Sequence, residues 1–135
     1  MTLITWNEQL SVNIAKIDTQ HRILFNNMNA LFDEMEAGRE KDATAKVLSK
    51  LEAYTVYHFD TEEKMFQEYG YPGYEQHKKE HDVMRKQVDE LKDNFNKGDI
   101  MITLKVLNFF KDWLKKHISI SDKKYSPFLT DKGVE

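Results

Sequence analysis

The sequence predicts an all-α protein: an up-down-up-down antiparallel four-helix bundle with an irregular N-terminal arm. Three observations lead there. Four long stretches repeat apolar residues with the 3.6-residue period, only two prolines occur (Pro72 and Pro127), and Gly38, Gly70, Gly73 and Gly98 fall between those stretches. Short links between long amphipathic helices favour antiparallel neighbours. The 135 residues suit one domain. Residues 1–17 are expected as the arm, 18–122 as the bundle and 123–135 as a C-terminal tail.

The first helix is expected over residues 19–37, with Asp18 as its N-cap and Ile23, Leu24, Met28, Leu31, Phe32 and Met35 buried. A second is expected over residues 43–69, its inner side marked by Val47, Leu51, Tyr54, Phe59, Met65 and Phe66. After the turn YGYPG a third covers residues 74–96. After KGD a fourth covers residues 100–118, with Asp99 as N-cap.

Composition excludes several chemistries. With no cysteine there is no disulfide, thiolate metal site, iron–sulfur cluster, covalent c-type haem or cysteine nucleophile. Any metal must be held by histidines and carboxylates. The 20 basic and 23 acidic residues leave a net charge of -3 with the signs interspersed, so charge gives no footprint for nucleic acid or an anionic membrane. Neither the N-terminal stretch nor IMITLKVLNFF, broken by Lys105, reads as a signal or a membrane span. A soluble cytoplasmic protein without membrane insertion is the expectation.

The five histidines are His21, His58, His77, His81 and His117, and each expected helix carries at least one. His58 and Glu62 are four residues apart and leave the same helix face, as do His77 and His81. Taken alone, HKKEH (77–81) fits the H-x-x-E-H zinc-protease pattern with Glu80 as general base. That reading needs a third ligand and a cleft, and leaves His21, His58 and His117 without a role. A lone histidine on a helix is ordinarily a surface or satisfied core residue. Histidine and carboxylate pairs on neighbouring helices of one bundle carry more weight, because inward-facing side chains there build metal sites.

Asp122 follows His117 by five residues. On a regular helix that is about 500° of rotation, which leaves Asp122 about 140° away from His117. The helix must loosen or end between them if both serve one site, and Ile118, Ser119, Ile120 and Ser121 are weak helix formers.

At IDTQH (17–21), HFDTEE (58–63), HKKEHD (77–82) and HISISD (117–122) the chain resembles the hemerythrin family, and the likeness runs from WNEQL to DKKY. The resemblance implies two non-haem iron ions with an oxo or hydroxo bridge. His77, His81 and His117 would bind one iron, His21 and His58 the other, and Glu62 and Asp122 would bridge them. The iron with two histidines would keep a position open for O2. Leu24, Phe59, Trp113 and Leu114 would line an apolar pocket, although all four also suit ordinary core packing. Tyr125 is expected near the cluster and Glu80 on the surface. Asn13 stands where bacterial relatives would have glycine; asparagine tolerates a left-handed backbone, so only the arm's shape is affected.

The function implied is reversible O2 binding for transport, storage or delivery to an oxygen-consuming enzyme, by a protein that is not itself an enzyme. Five imidazoles and two carboxylates make a site richer in nitrogen than the di-iron carboxylate enzymes. A di-iron peroxidase or oxidase is the second reading and an oxygen or redox sensor the third. A haem-binding bundle leaves Glu62 and Asp122 unexplained. A monomer is expected.

Overall fold

The computed structural model describes residues 3–38, 41–98 and 104–135, and the side chains of all of these except 41–43. A short 3-10 turn, Glu8–Leu10, lies in the arm. Helices α1 (Ala15–Glu36), α2 (Lys41–Tyr69), α3 (Tyr74–Asn96) and α4 (Leu104–Lys116) form the bundle, with α1 packed on α2 and α4, and α2 on α3. The protein is an all-α four-helix bundle, as the periodicity predicts. No helix among the described residues is long and apolar enough to cross a membrane.

The third helix has the expected bounds; the others differ in instructive ways. α1 begins at Ala15, and Asp18 is not its N-cap but a buried first-turn residue. Its carboxylate accepts the Val12 N–H at 2.9 Å and the Ser11 hydroxyl at 2.5 Å, folding the arm back onto the helix start. A negative charge in the first turn also suits the helix dipole. Asn13 holds the left-handed conformation at φ 61°, which asparagine adopts with less strain than most side chains. Further out, Asn29 of α1 clips the arm: its Oδ1 accepts the Leu3 and Ile4 N–H groups and its Nδ2 donates to the Ile4 carbonyl.

In α2 the inner stripe runs Leu48, Leu51, Thr55, His58, Phe59, Glu62 and Phe66, all buried, while Val47, Tyr54 and Met65 lie at its flanks. The apolar pattern missed Thr55 and Glu62 because the stripe passes through polar residues there. Ile23 and Met35 of α1 are likewise only partly buried. Asp99 and the expected start of the fourth helix at residue 100 lie outside the described residues.

After α4 the helix widens into a π-helical segment, His117–Asp122, and then continues as α5 (Lys123–Asp131) where a tail was expected. A π-helix bonds i to i+5, so it returns Asp122 to the face that carries His117. The chain therefore loosens without ending. α5 closes one end of the bundle against the arm: Val12, Ile14, Ile17, Phe66, Tyr125 and Leu129 form a buried cluster, and the Ser126 hydroxyl donates to the Val12 carbonyl at 2.6 Å. The larger core, with Leu24, Met28, Leu31, Leu48, Leu107 and Leu114, fills the remainder of the bundle.

Replacing Asp18 with alanine removes the acceptor for the buried Val12 N–H. The expected loss is about 1–3 kcal/mol of unfolding free energy, read from urea denaturation. Unchanged stability would show that the arm does not depend on this carboxylate.

Candidate metal centre

Each helix of the bundle contributes to one buried cluster. His21 comes from α1, His58 and Glu62 from adjacent turns of α2, His77 and His81 from adjacent turns of α3, and His117 and Asp122 from the two ends of the π segment. None of the seven is more than 4% exposed. Their ligating atoms fall into two groups, each within 4.8 Å: Glu62, His77, His81, His117 and Asp122 in one, His21, His58, Glu62 and Asp122 in the other. The two carboxylates belong to both. Asp122 turns Oδ1 toward His77 (3.0 Å) and His117 (3.2 Å), and Oδ2 toward His21 (3.1 Å). Glu62 places Oε1 between His58 (3.3 Å) and His81 (3.2 Å), while its Oε2 accepts the Tyr125 hydroxyl.

Three imidazoles are held from behind. The Nδ1 of His58 meets Gln20 Oε1 at 2.7 Å, that of His81 meets Glu63 Oε2 at 2.8 Å, and that of His117 meets Glu80 Oε1 at 3.0 Å. Those oxygens only accept, so the partners assign the proton to each Nδ1 and leave Nε2, in the neutral ring, with a lone pair aimed inward. Rings are also fixed by stacking: Phe59 lies parallel to His81 at 3.9 Å and Trp113 parallel to His117 at 4.6 Å. Glu63 is anchored outward by Arg85 at 2.7 Å, which also bonds Asp60 and Asp82.

Glu80 corrects the sequence reading. It is not simply a surface residue, because its carboxylate accepts from both His117 and the Ser121 hydroxyl. Neither Glu80, Glu63 nor Gln20 was singled out as a support for a histidine. Their partners come from other helices, so helical spacing gave no signal for them. That commitment to His117 also speaks against Glu80 as the general base of a zinc protease. Tyr125 stands next to the cluster, as expected.

The donors fit a metal. The Nε2 atoms of His81 and His117 are 3.1 Å apart, and that of His77 is equally close to His117. Nitrogens so close must share either a proton or a cation, and a metal among them would serve all three together with the two carboxylates. Both ring nitrogens of His21, both Asp122 oxygens and Glu62 Oε1 are buried without a hydrogen bond, a costly arrangement that coordination to a metal would complete.

Charge follows the same logic. Burial favours the neutral form of His117, but Asp122, Glu62 and Glu80 overcome it and raise its pKa to about 9. His81 is also raised, because Glu62 and Glu63 outweigh its burial. His58, farther from a second carboxylate's help, is lowered by burial to about 3 despite Glu62. Burial and Asp122 oppose ionisation of Glu62, yet His58 and His81 hold it at about 2. Asp122 is held well below the usual range against its burial, chiefly by His117. Burial and the two carboxylates push Tyr125 well up, so it keeps its proton and donates to Glu62.

Fold and donor set together define a four-helix bundle whose centre is equipped to bind metal. Residues 12–129 match the family model of the hemerythrin HHE cation binding domain. The bacteriohemerythrin of Methylococcus capsulatus is 34% identical over 131 residues, covering 96% of this chain and 99% of that protein. The myohemerythrin of Sipunculus nudus is 32% identical over 89% of this chain and 88% of its own length. A crystal structure of wild-type hemerythrin superposes with a TM-score of 0.88 at 33% identity, covering 93% of this chain and 96% of that one. The chain belongs to the hemerythrin family.

Because His117 carries a proton below about pH 9, a metal must displace it. Loading the metal-free protein with ferrous or cobaltous ion near neutral pH is expected to release at least one proton per chain. Affinity should rise with pH and level off once His117 is neutral, as followed in a pH-stat and by chelator competition. Proton-free loading would remove His117 from the ligands.

Proposed function

We propose that this protein binds O2 reversibly at a pair of non-haem irons, and carries or stores it for release to an oxygen-consuming enzyme. The observation that supports this best is the unequal division of buried donors, five in one group and four in the other, with Glu62 and Asp122 shared. His77, His81 and His117 would hold one iron, His21 and His58 the other, and the two carboxylates would bridge. Iron accommodates ligand sets with open positions, and the group with two histidines would leave one for a small ligand. When bound, the irons supply the two electrons that O2 takes up and returns.

The protein's own part is to hold that chemistry dry and in place. Leu24 lies three residues after His21 and Leu114 three before His117, so each shares its histidine's helix face. Together with Phe59 and Trp113 they line an apolar cavity of about 40 Å³ that extends into the larger core. Apolar cavities of this size stay dry. Dioxygen needs no hydrogen bond and enters at less cost than water. Excluding water also keeps stray protons from the reduced oxygen, which favours return over reaction. Tyr125 is too weak an acid to supply one, since its phenol is committed to Glu62. The burial of all seven donors leaves little room for an organic substrate, which supports a carrier over an enzyme.

The test is metal analysis with a visible spectrum recorded anaerobically after reduction, then in O2, then after its removal. Two irons per chain and a band that appears and vanishes with O2 are expected. One zinc, irreversible oxidation, or multiple turnovers of peroxide would overturn the reading. Leu114→Asp should admit water to the cavity and shorten the lifetime of the oxygenated form about tenfold or more, an effect of roughly 1.4 kcal/mol. An unchanged rate of autoxidation would sink the lining role.

A further inference from the structure

The chain's modest net charge hides a strong asymmetry. Residues 104–132 carry seven lysines against three aspartates, of which Asp122 is buried; the rest of the chain has 13 basic and 20 acidic residues. The basic share is concentrated where α4 passes into the π segment and α5. Lys115, Lys116, Lys123 and Lys124 are exposed, and none forms an ion pair with a described residue. Among them lies a cleft of about 330 Å³, lined by Trp113, Lys116, Ile120 and Lys124, with Glu80 and His117 at its base. In this cleft Ile120, 48% exposed, stands at helical spacing between Lys116 and Lys124. An exposed apolar side chain flanked by lysines, with half-buried Trp113 beside it, is the make-up of a protein-binding surface.

This cleft also reaches the buried centre, since two of its lining side chains touch His117. Glu80, a third exposed, touches His117 Nδ1 at 3.0 Å, and half-buried Trp113 stacks on the same ring. We propose that the lysine-rimmed cleft beside His117 is the docking site for an acidic electron-transfer protein, of the flavin or iron–sulfur class, that reduces the metal centre. The inference rests on the di-iron reading above, in which a centre that has lost its electrons no longer takes up O2. Each encounter passes one electron from the donor to one ferric ion, and two encounters restore the ferrous pair. The donor is oxidised by the same two electrons, and no bond forms or breaks. An anionic membrane or a nucleic acid would meet the same lysines but would have no use for a path to His117.

The probe is flavodoxin, a small acidic flavoprotein. Its hydroquinone is mixed anaerobically with the ferric iron-loaded protein at ionic strengths of about 10 mM and about 1 M, where charges are felt over about 30 Å and about 3 Å. The second-order rate constant is expected to fall with salt. The double variant Lys116→Glu, Lys124→Glu should lower it about tenfold or more at low salt and by little at high salt, while reduction by the cationic methyl viologen radical is not slowed. In parallel, oxidised flavodoxin is titrated into the ¹⁵N-labelled zinc-loaded protein; shifts centred on Lys116, Ile120 and Lys124 are expected. That arm needs neither iron nor O2, so it separates failure of docking from failure of the oxygen-binding reading. A rate indifferent to salt and to the lysines, or shifts elsewhere on the bundle, would overturn the proposal. So would binding of phosphatidylglycerol vesicles through the same lysines without a flavodoxin complex.

Discussion

Two carboxylates, both fully buried, must each face two groups of imidazoles at once. Glu62 and Asp122 are 0% exposed and stand within reach of all five histidines. Ionised groups so placed are tolerable only where positive charge gathers around them, and the remainder of the architecture serves that end. Glu62 reaches the centre from a regular turn of α2. Asp122 reaches it only because the helix after α4 widens through His117–Asp122. A regular helix would point one of the two away. The π segment is therefore a condition of the site and not a local irregularity.

Around that pair lies a ring of acceptors that settles what each histidine can do. Gln20, Glu63 and Glu80 take the Nδ1 protons of His58, His81 and His117, so the other nitrogen faces inward as a lone pair. Such partners fix ring orientation and raise ligand basicity. Phe59 and Trp113 hold two of the same rings by stacking and line the apolar cavity, so one pair of side chains both orients the donors and excludes water.

Much of this was legible before the structure. Strong periodicity marked the helices, and α3, bounded by YGYPG and KGD, has the expected ends. The five-residue step from His117 to Asp122 required the helix to loosen or end if both serve one site, and the structure loosens it. What was missed depended on how the chain folds back on itself or on local signals too weak to read. Asp18 looked like a cap, yet its partners are Val12 and Ser11, reached only when the arm folds back. Glu80 looked like a solvated helix residue, yet Ser121 and His117 lie 41 and 37 residues further on. Glu62 faces inward in α2, as the HFDTE spacing implied, while Thr55 escaped the apolar pattern because its buried hydroxyl is satisfied by the Leu51 carbonyl one turn back. The helical character of residues 123–131 escaped notice because Pro127 and a short run gave little local signal.

The cluster formed by the arm, Phe66 and α5 has a consequence for how the protein comes into being. Tyr125 and Asp122 are near the end of the chain, whereas Val12, on which Ser126 closes, is near its beginning. While the chain is being synthesised, His21, His58, Glu62, His77 and His81 emerge long before Asp122, the second of the two shared carboxylates. Until residues 117–122 leave the ribosome, both groups lack Asp122 and one of them also lacks His117. Completion of the centre is thus deferred until this segment is made, and a chain cut short before it would expose imidazoles that trap metal loosely and release it again.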